Sequence, residues 1–326
     1  MFYIVLQTSM ETQTNKNGHE EHIAEGLHLK LKDLKAIARD LKNQYLSRAY
    51  IPAYPRPEFH VSRLKHDTDQ AGVWGISKKK GFMNPGACPL LWWSLFVGPE
   101  EIESAERRLL ETTYPDRTEE QIQTQQSFLR DFASSPAFKR SSRVGSYRFT
   151  FPLEEVLTAY KDQFCSGAEP VMRALRTVLY KQEVMYVVLV HSPANQELYS
   201  KYPLLTDVQN YVCSYKDGCF LWRSEAMCET HRYELVRRHD EKQLEVKTAT
   251  HQSFYVWDHV AVVLHVDEQV LNFDVNRLRE KLTLCKEGDL RIKPSLRFDD
   301  MSKAEKFVKR LWPDYLSPLE RAEEQC

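Results

Sequence analysis

The sequence predicts an α+β fold for its 326 residues, and three observations carry that expectation. Strand-like runs at Leu90–Val97, Val184–His191 and Phe254–Val266 do not alternate regularly with helices, as a parallel βαβ sheet would require. Helical stripes instead gather between residues 112 and 182 and again after 274. The hydrophobic fraction of 42% is enough for a buried core in a chain of this length.

Residues 1–25 are largely polar and are expected to be a disordered N-terminal tail. Residues 26–326 are expected to be one α+β domain, with its core over 58–266, a helical insertion over 112–182 and C-terminal helices over 274–312. Leu27 to Tyr45 carries apolar residues at 27, 31, 34, 38, 41 and 45, the stripe of a packed helix. Pro52, Pro55 and Pro57 then block helix and favour extended backbone.

Glu58 to Leu64 is predicted to be a strand leading into His66. Val73 to Lys80 is a short helix closed by Gly81. Leu90 to Val97 is continuously apolar, the pattern of a strand buried on both faces. Pro99 suits the first position of a helix, with Glu100 and Glu101 at the positive end of its dipole.

Thr118 with Gln121 forms a capping box for a helix to about Ser134. Pro152–Phe164 and Pro170–Gln182 each open on proline and carry helical stripes. Val184–His191 is rich in β-branched residues and ends at Pro193. A strand opens at Gly218 and continues through Cys219–Trp222 towards Leu235. Asp274 caps a helix through Leu284, and Ser302 with Glu305 caps a last helix ending near Trp312.

The net charge is −1, so no overall field attracts nucleic acid or an anionic membrane. Basic clusters at Lys78–Lys80 and at Lys139, Arg140 and Arg143 are the solvated faces of such a chain. No apolar run reaches the roughly 18 residues of a membrane span, so no membrane partner is expected. Seven cysteines, irregularly spaced and without a secretion signal, are expected to be reduced thiols of a cytoplasmic or nuclear protein. Cys213, Cys219, Cys228 and His231 lack the paired spacing of a zinc knuckle, so no metal site is expected. His259 and His265 lie six apart on a strand and share a face. Nucleotide-binding glycine loops and hydrolase elbows are absent.

The segment from Arg63 to Leu95 carries the chemistry. It holds His66-Asp67-Thr68, then Ile76 ahead of Gly81-Phe82, then Trp92-Trp93-Ser94. That order resembles the front half of the His-type ADP-ribosyltransferases. There a first core strand gives His-x-Thr, a short helix precedes a Gly-Phe turn, the next strand carries an aromatic residue and a serine, and a later strand supplies a glutamate. The resemblance implies an ADP-ribosyltransferase-like mixed-sheet core and NAD as substrate, with ADP-ribose transferred to a protein or nucleic-acid acceptor. It implies that His66 and Thr68 bind NAD, His66 at the ribose. Trp93 would lie near the nicotinamide, with Ser94 beside it. Glu225 or Glu229 would be the catalytic carboxylate.

Such chemistry suits these residue types. Breaking the nicotinamide–ribose bond develops positive charge on the ribose, and a carboxylate stabilises it. This chain departs from the pattern at Trp93, where tyrosine is usual, and at Asp67, where many members carry glycine. The segments YVVLVHSP and EAMCETH also resemble a set of fish proteins linked to antiviral responses. That likeness assigns no residue a role. It supports the alternative of a non-catalytic interaction protein, an interferon-induced antiviral or innate-immune effector.

Overall fold

The structure, a computed structural model, describes residues 10–29 and 57–317 apart from 16–17, 19, 85, 87, 126, 128, 130–134, 136, 181–182, 206–211, 225, 229–232, 238–243, 249–253, 257 and 289–297. Its centre is a nine-stranded sheet. In chain order the strands are β1 (Glu11–Thr14), β2 (Glu20–Glu25), β3 (Arg63–Thr68), β4 (Leu90–Leu95), β5 (Tyr147–Pro152), β6 (Val171–Tyr180), β7 (Glu183–His191), β8 (Asp258–His265) and β9 (Leu282–Leu284). In space the order is β1-β2-β6-β7-β8-β4-β3-β5-β9. Every neighbouring pair is antiparallel except β7 and β8, which run parallel with Val190 opposite Leu264. The fold class is therefore α+β, with a large and mostly antiparallel sheet.

The helices are α1 (Gln70–Lys79), α2 (Pro99–Thr113), α3 (Glu119–Thr124), α4 (Leu153–Phe164), α5 (Val275–Lys281) and α6 (Met301–Leu311). Their starts follow local chemistry. The Asp69 carboxylate accepts from Gly72 N in α1, and Thr118 from Gln121 N in α3. Asp274 accepts from Asn276 N and Arg277 N in α5. Glu101 reaches back to the Gly98 amide at the start of α2. For α6 the cap is Asp300, which accepts from Lys303 N, rather than Ser302.

Side chains alternate across the sheet. One face places Leu64, Trp93, Phe149, Phe151, Val188, Val262 and Leu264 in the main core. Val73 and Ile76 of α1, Val156 and Tyr160 of α4, Leu278 of α5 and Val308 of α6 join that core. The other face carries a smaller apolar cluster built on Val187, Leu189, Ala261 and Val263, together with a run of charged side chains.

Several expectations are corrected. The N-terminal tail is not wholly irregular: Glu11–Thr14 and Glu20–Glu25 pair as a hairpin, and β2 adds to β6. The span 112–182 is not a helical insertion, because it supplies β5 and β6 to the sheet. Val171–Tyr180 is a strand rather than a helix. The strand predicted over Glu58–Leu64 breaks near Ser62: Glu58–Val61 joins a small sheet with Cys213–Lys216 and Cys219–Arg223, and Arg63 begins β3. The long strand expected to Val266 is two, Phe254–Val256 and Asp258–His265. The helix predicted over Leu27–Tyr45 lies almost wholly outside the described residues. Among those described, no helix is long and apolar enough to cross a membrane.

Candidate functional site

The two halves of the His66–Ser94 pattern lie on adjacent strands. β3 and β4 are antiparallel, with Leu64 opposite Leu95 and Lys65 opposite Ser94. This register brings His66 level with Trp93 on the helix-covered face, their ring centroids 5.4 Å apart. The Gly81-Phe82 turn closes over them, and the Phe82 ring meets His66 edge-on at 5.1 Å. Gly81 is required there. A Cβ would lie 2.3 Å from the Leu271 carbonyl oxygen, in the short pairing that holds this turn against Leu271–Asn272.

His66 has a defined protonation pattern. Its Nδ1 lies 2.8 Å from the Trp92 carbonyl oxygen, which can only accept, so Nδ1 carries the proton. Nε2 is then a lone-pair acceptor, with no partner among the described residues. Loss of solvation on burial is the main cause holding the ring's pKa below its ordinary value, so the neutral form prevails at pH 7. A neutral imidazole acceptor of this kind can take the proton of a sugar hydroxyl in a hydrogen bond.

The other expected binding residues differ in what they offer. Trp93 is 1% exposed, with Phe82 at 4.8 Å and Phe151 at 5.9 Å against its ring. It presents no open face for stacking, although its Nε1–H is buried without a partner. Thr68 is buried on the same face as His66, with its Oγ1 against Gly72 in the first turn of α1. Ser94 faces the opposite side of the sheet, beside Lys65. Glu225 and Glu229 lie outside the described residues. For NAD the fit is therefore partial: His66 offers a ribose acceptor, whereas a nicotinamide ring needs Trp93 or Phe82 to move first.

Asp67 does not crowd this side. Its carboxylate lies on the opposite face, where Arg148 Nε and Nη2 donate to it at 2.6 and 2.8 Å. Arg148 also donates to the carbonyls of Lys139, Arg140 and Ser141. That bidentate pair is the main cause holding Asp67 ionised, against the cost of burial.

The sequence pattern did not reveal two features. The later strand lying directly beside β4 is β8, and it opens with an acid, Asp258. On the opposite face Lys65 and Arg148 lie beside Asp67, and Arg143 Nη2 lies 3.5 Å from His259 Nε2. Phe96 has Arg63, Lys65 and Arg148 within 5.1–5.8 Å of its centroid. The only advance signal was alternation on β3 and β8, because the partners are far apart in sequence. His259 and His265 do share this face, but His265 has its own partners, Asn195 Nδ2 at 2.7 Å and Asp267 at 3.0 Å.

No protein-family model, curated protein or solved structure matches the chain.

Proposed function

We propose that this protein binds NAD and acts as an ADP-ribosyltransferase-like enzyme on a protein or nucleic-acid acceptor. The observation supporting this reading is the side-by-side placement of the His-x-Thr and aromatic-Ser strands, with His66 level with Trp93 and its Nε2 an unengaged acceptor. In this reading a ribose hydroxyl donates to His66 Nε2, and the nicotinamide enters beside Trp93 once the Phe82 turn shifts. Nicotinamide leaves with the electron pair of its bond to ribose. The acceptor's nucleophile then bonds to that ribose carbon and gives up its proton. A carboxylate facing the ribose stabilises the charge of the transition state. Glu225 and Glu229 are the candidates for it.

Calorimetric titration with NAD, run beside a non-hydrolysable analogue, tests the reading. Saturable binding weakened about ten-fold or more in His66→Ala supports it, since a lost hydrogen bond in a dry site costs roughly 1–3 kcal/mol. Normal turnover in Glu225→Ala, Glu229→Ala and the double variant alike would remove both carboxylates from the chemistry.

One observation favours a second reading. Trp93, with both faces covered, and Ser94, turned away, suit a non-catalytic interaction protein of the interferon-induced antiviral kind. An absence of binding at millimolar NAD would select it.

A further inference from the structure

Helices α1 and α6 pack together and leave a groove between them. We infer that this groove binds single-stranded nucleic acid, with phosphates on α6 and a base on Trp74 of α1. The inference does not rest on the NAD reading and uses none of its residues.

The groove has a volume of about 690 Å³, and Gln70, Asp299, Lys303, Lys306, Lys309 and Arg310 line it. Lys303, Lys306 and Arg310 recur at i, i+3 and i+7, so they share one face of α6. Ala304 and Val308 bury the opposite face in the core, which turns the three cations outward. Lys303 pairs with Asp300 at 3.3 Å and Lys309 with Glu305 at 2.8 Å. Exposed pairs of this kind hold little energy. A polyanion is drawn by summed charge and by the counterions it releases, so it needs no vacant donor. Here the sum is positive. Residues 69–80 and 299–311 hold seven lysines and arginines against four aspartates and glutamates, in a chain of net charge −1. Three of those acids already serve the fold: Asp69 and Asp300 cap the two helices, and Asp299 accepts from Tyr147 Oη at 2.9 Å. Arg310 lies over the Phe307 ring at 5.8 Å, which holds its guanidinium beside the groove.

Trp74 selects a single strand over a duplex or an acidic protein segment. It is 54% exposed, the largest apolar side chain so displayed among the described residues. It stands one helical turn from Gln70 and on the same side of α1. A ring on a cationic surface is a stacking platform for a base, worth roughly 1–3 kcal/mol, and only an unpaired base can reach it. A run of carboxylates gains nothing from such a ring. Gln70 adds an amide that can bond a base edge. Lys78 lies 5.9 Å from the centroid of the Trp74 ring, and Lys79 and Lys80 follow it, all three exposed. This basic run is a solvated face when read alone. Beside α6 it continues the cationic track past the end of the groove.

The test is fluorescence anisotropy of a short labelled oligo-dT titrated with the full chain at several salt concentrations. A duplex of the same length and poly-glutamate are titrated beside it. Saturable binding is expected, with log K falling against log salt at a slope of about −2, roughly 0.7 for each of three phosphates neutralised. Lys306→Gln combined with Arg310→Gln should weaken binding about ten-fold or more and flatten that slope by about 1.4. Trp74→Ala should weaken it by about five-fold to 100-fold with the slope kept, and Trp74→Phe should restore most of the loss. These side chains are exposed, so the thermal midpoint should not move in any of the variants. His66→Ala should bind oligo-dT as the parent chain does. No binding at about 50 mM salt, or binding unaltered in both the α6 and the Trp74 variants, would overturn the inference. Duplex bound as tightly as the single strand would overturn it too. Poly-glutamate bound as tightly as oligo-dT would assign the groove to acidic protein segments instead. Loss in His66→Ala alone would move the binding to the NAD site and likewise overturn it.

Discussion

Lys65 shows how much one buried amine can set. It is 5% exposed, and burial, reinforced by Arg148, pushes its pKa down from 10.5 to about 7. The unfolded chain therefore binds a proton between pH 7 and 10.5 that the folded chain does not, so stability contributed at Lys65 rises with pH across that window. Below it the fold must bury a charged ammonium. Lys65→Met is expected to stabilise the protein by roughly 1–4 kcal/mol at and below pH 7. That advantage should shrink as pH rises towards 10.5. Urea midpoints measured across the range check the sign, and an advantage that grows with pH would refute it. The same strand shows what the sequence could and could not disclose about the site. Alternation already separated His66 from Asp67, and Trp93 from Ser94, because neighbours on a strand face opposite ways. Motif order alone grouped Trp93 with Ser94. The Lys65–Asp67–Arg148 cluster depends on register between β3 and β5, and no local pattern encodes that.

At the scale of elements, two glycines with different surroundings make a paired prediction. Gly145 precedes β5, and a Cβ there would meet the Thr68 carbonyl oxygen at 2.3 Å and Asp69 backbone atoms at 2.6 Å. Backbone cannot step aside as a side chain does, so Gly145→Ala is expected to cost roughly 1–3 kcal/mol. Gly75 lies inside α1 with nothing within 4 Å of its missing Cβ. Gly75→Ala should stabilise by about 0.5–1 kcal/mol through helix propensity. Denaturant midpoints of both variants check the pair. Helix starts were legible because Asp, Thr and Pro at the caps act over three residues. Leu90–Leu95 and Glu183–His191 were legible because both are apolar runs of strand length. β6 was misread for a physical reason. A bulge between Ala174 and Arg176 shifts its register, so buried apolar residues fall at 174, 175, 178 and 179, which is also the spacing of a helical stripe. β1 was missed because its four residues are all exposed at the sheet's edge.

For the molecule as a whole, several histidines are buried in the neutral form. Burial lowers the pKa of His28 from 6.5 to about 4, and also lowers those of His66, His191 and His259. The unfolded chain takes up these protons as pH falls through 6.5, and the fold resists them, so stability declines from pH 6.5 towards 4. His28 alone represents on the order of 3 kcal/mol across that interval. His28→Phe should flatten the acid side of a plot of urea midpoint against pH. An unchanged slope would show that His28 does not contribute. The parallel pair at the sheet's centre has a kinetic consequence. β7 and β8 are next to each other in space, yet residues 192–257 separate them along the chain. β8 also joins β7 to β4, so the two sides of the sheet stay apart until it docks. Chain closure over such a distance comes before any contact rewards it, which places this protein among slow folders. Closing the β7–β8 seam is therefore the expected slow step of its folding.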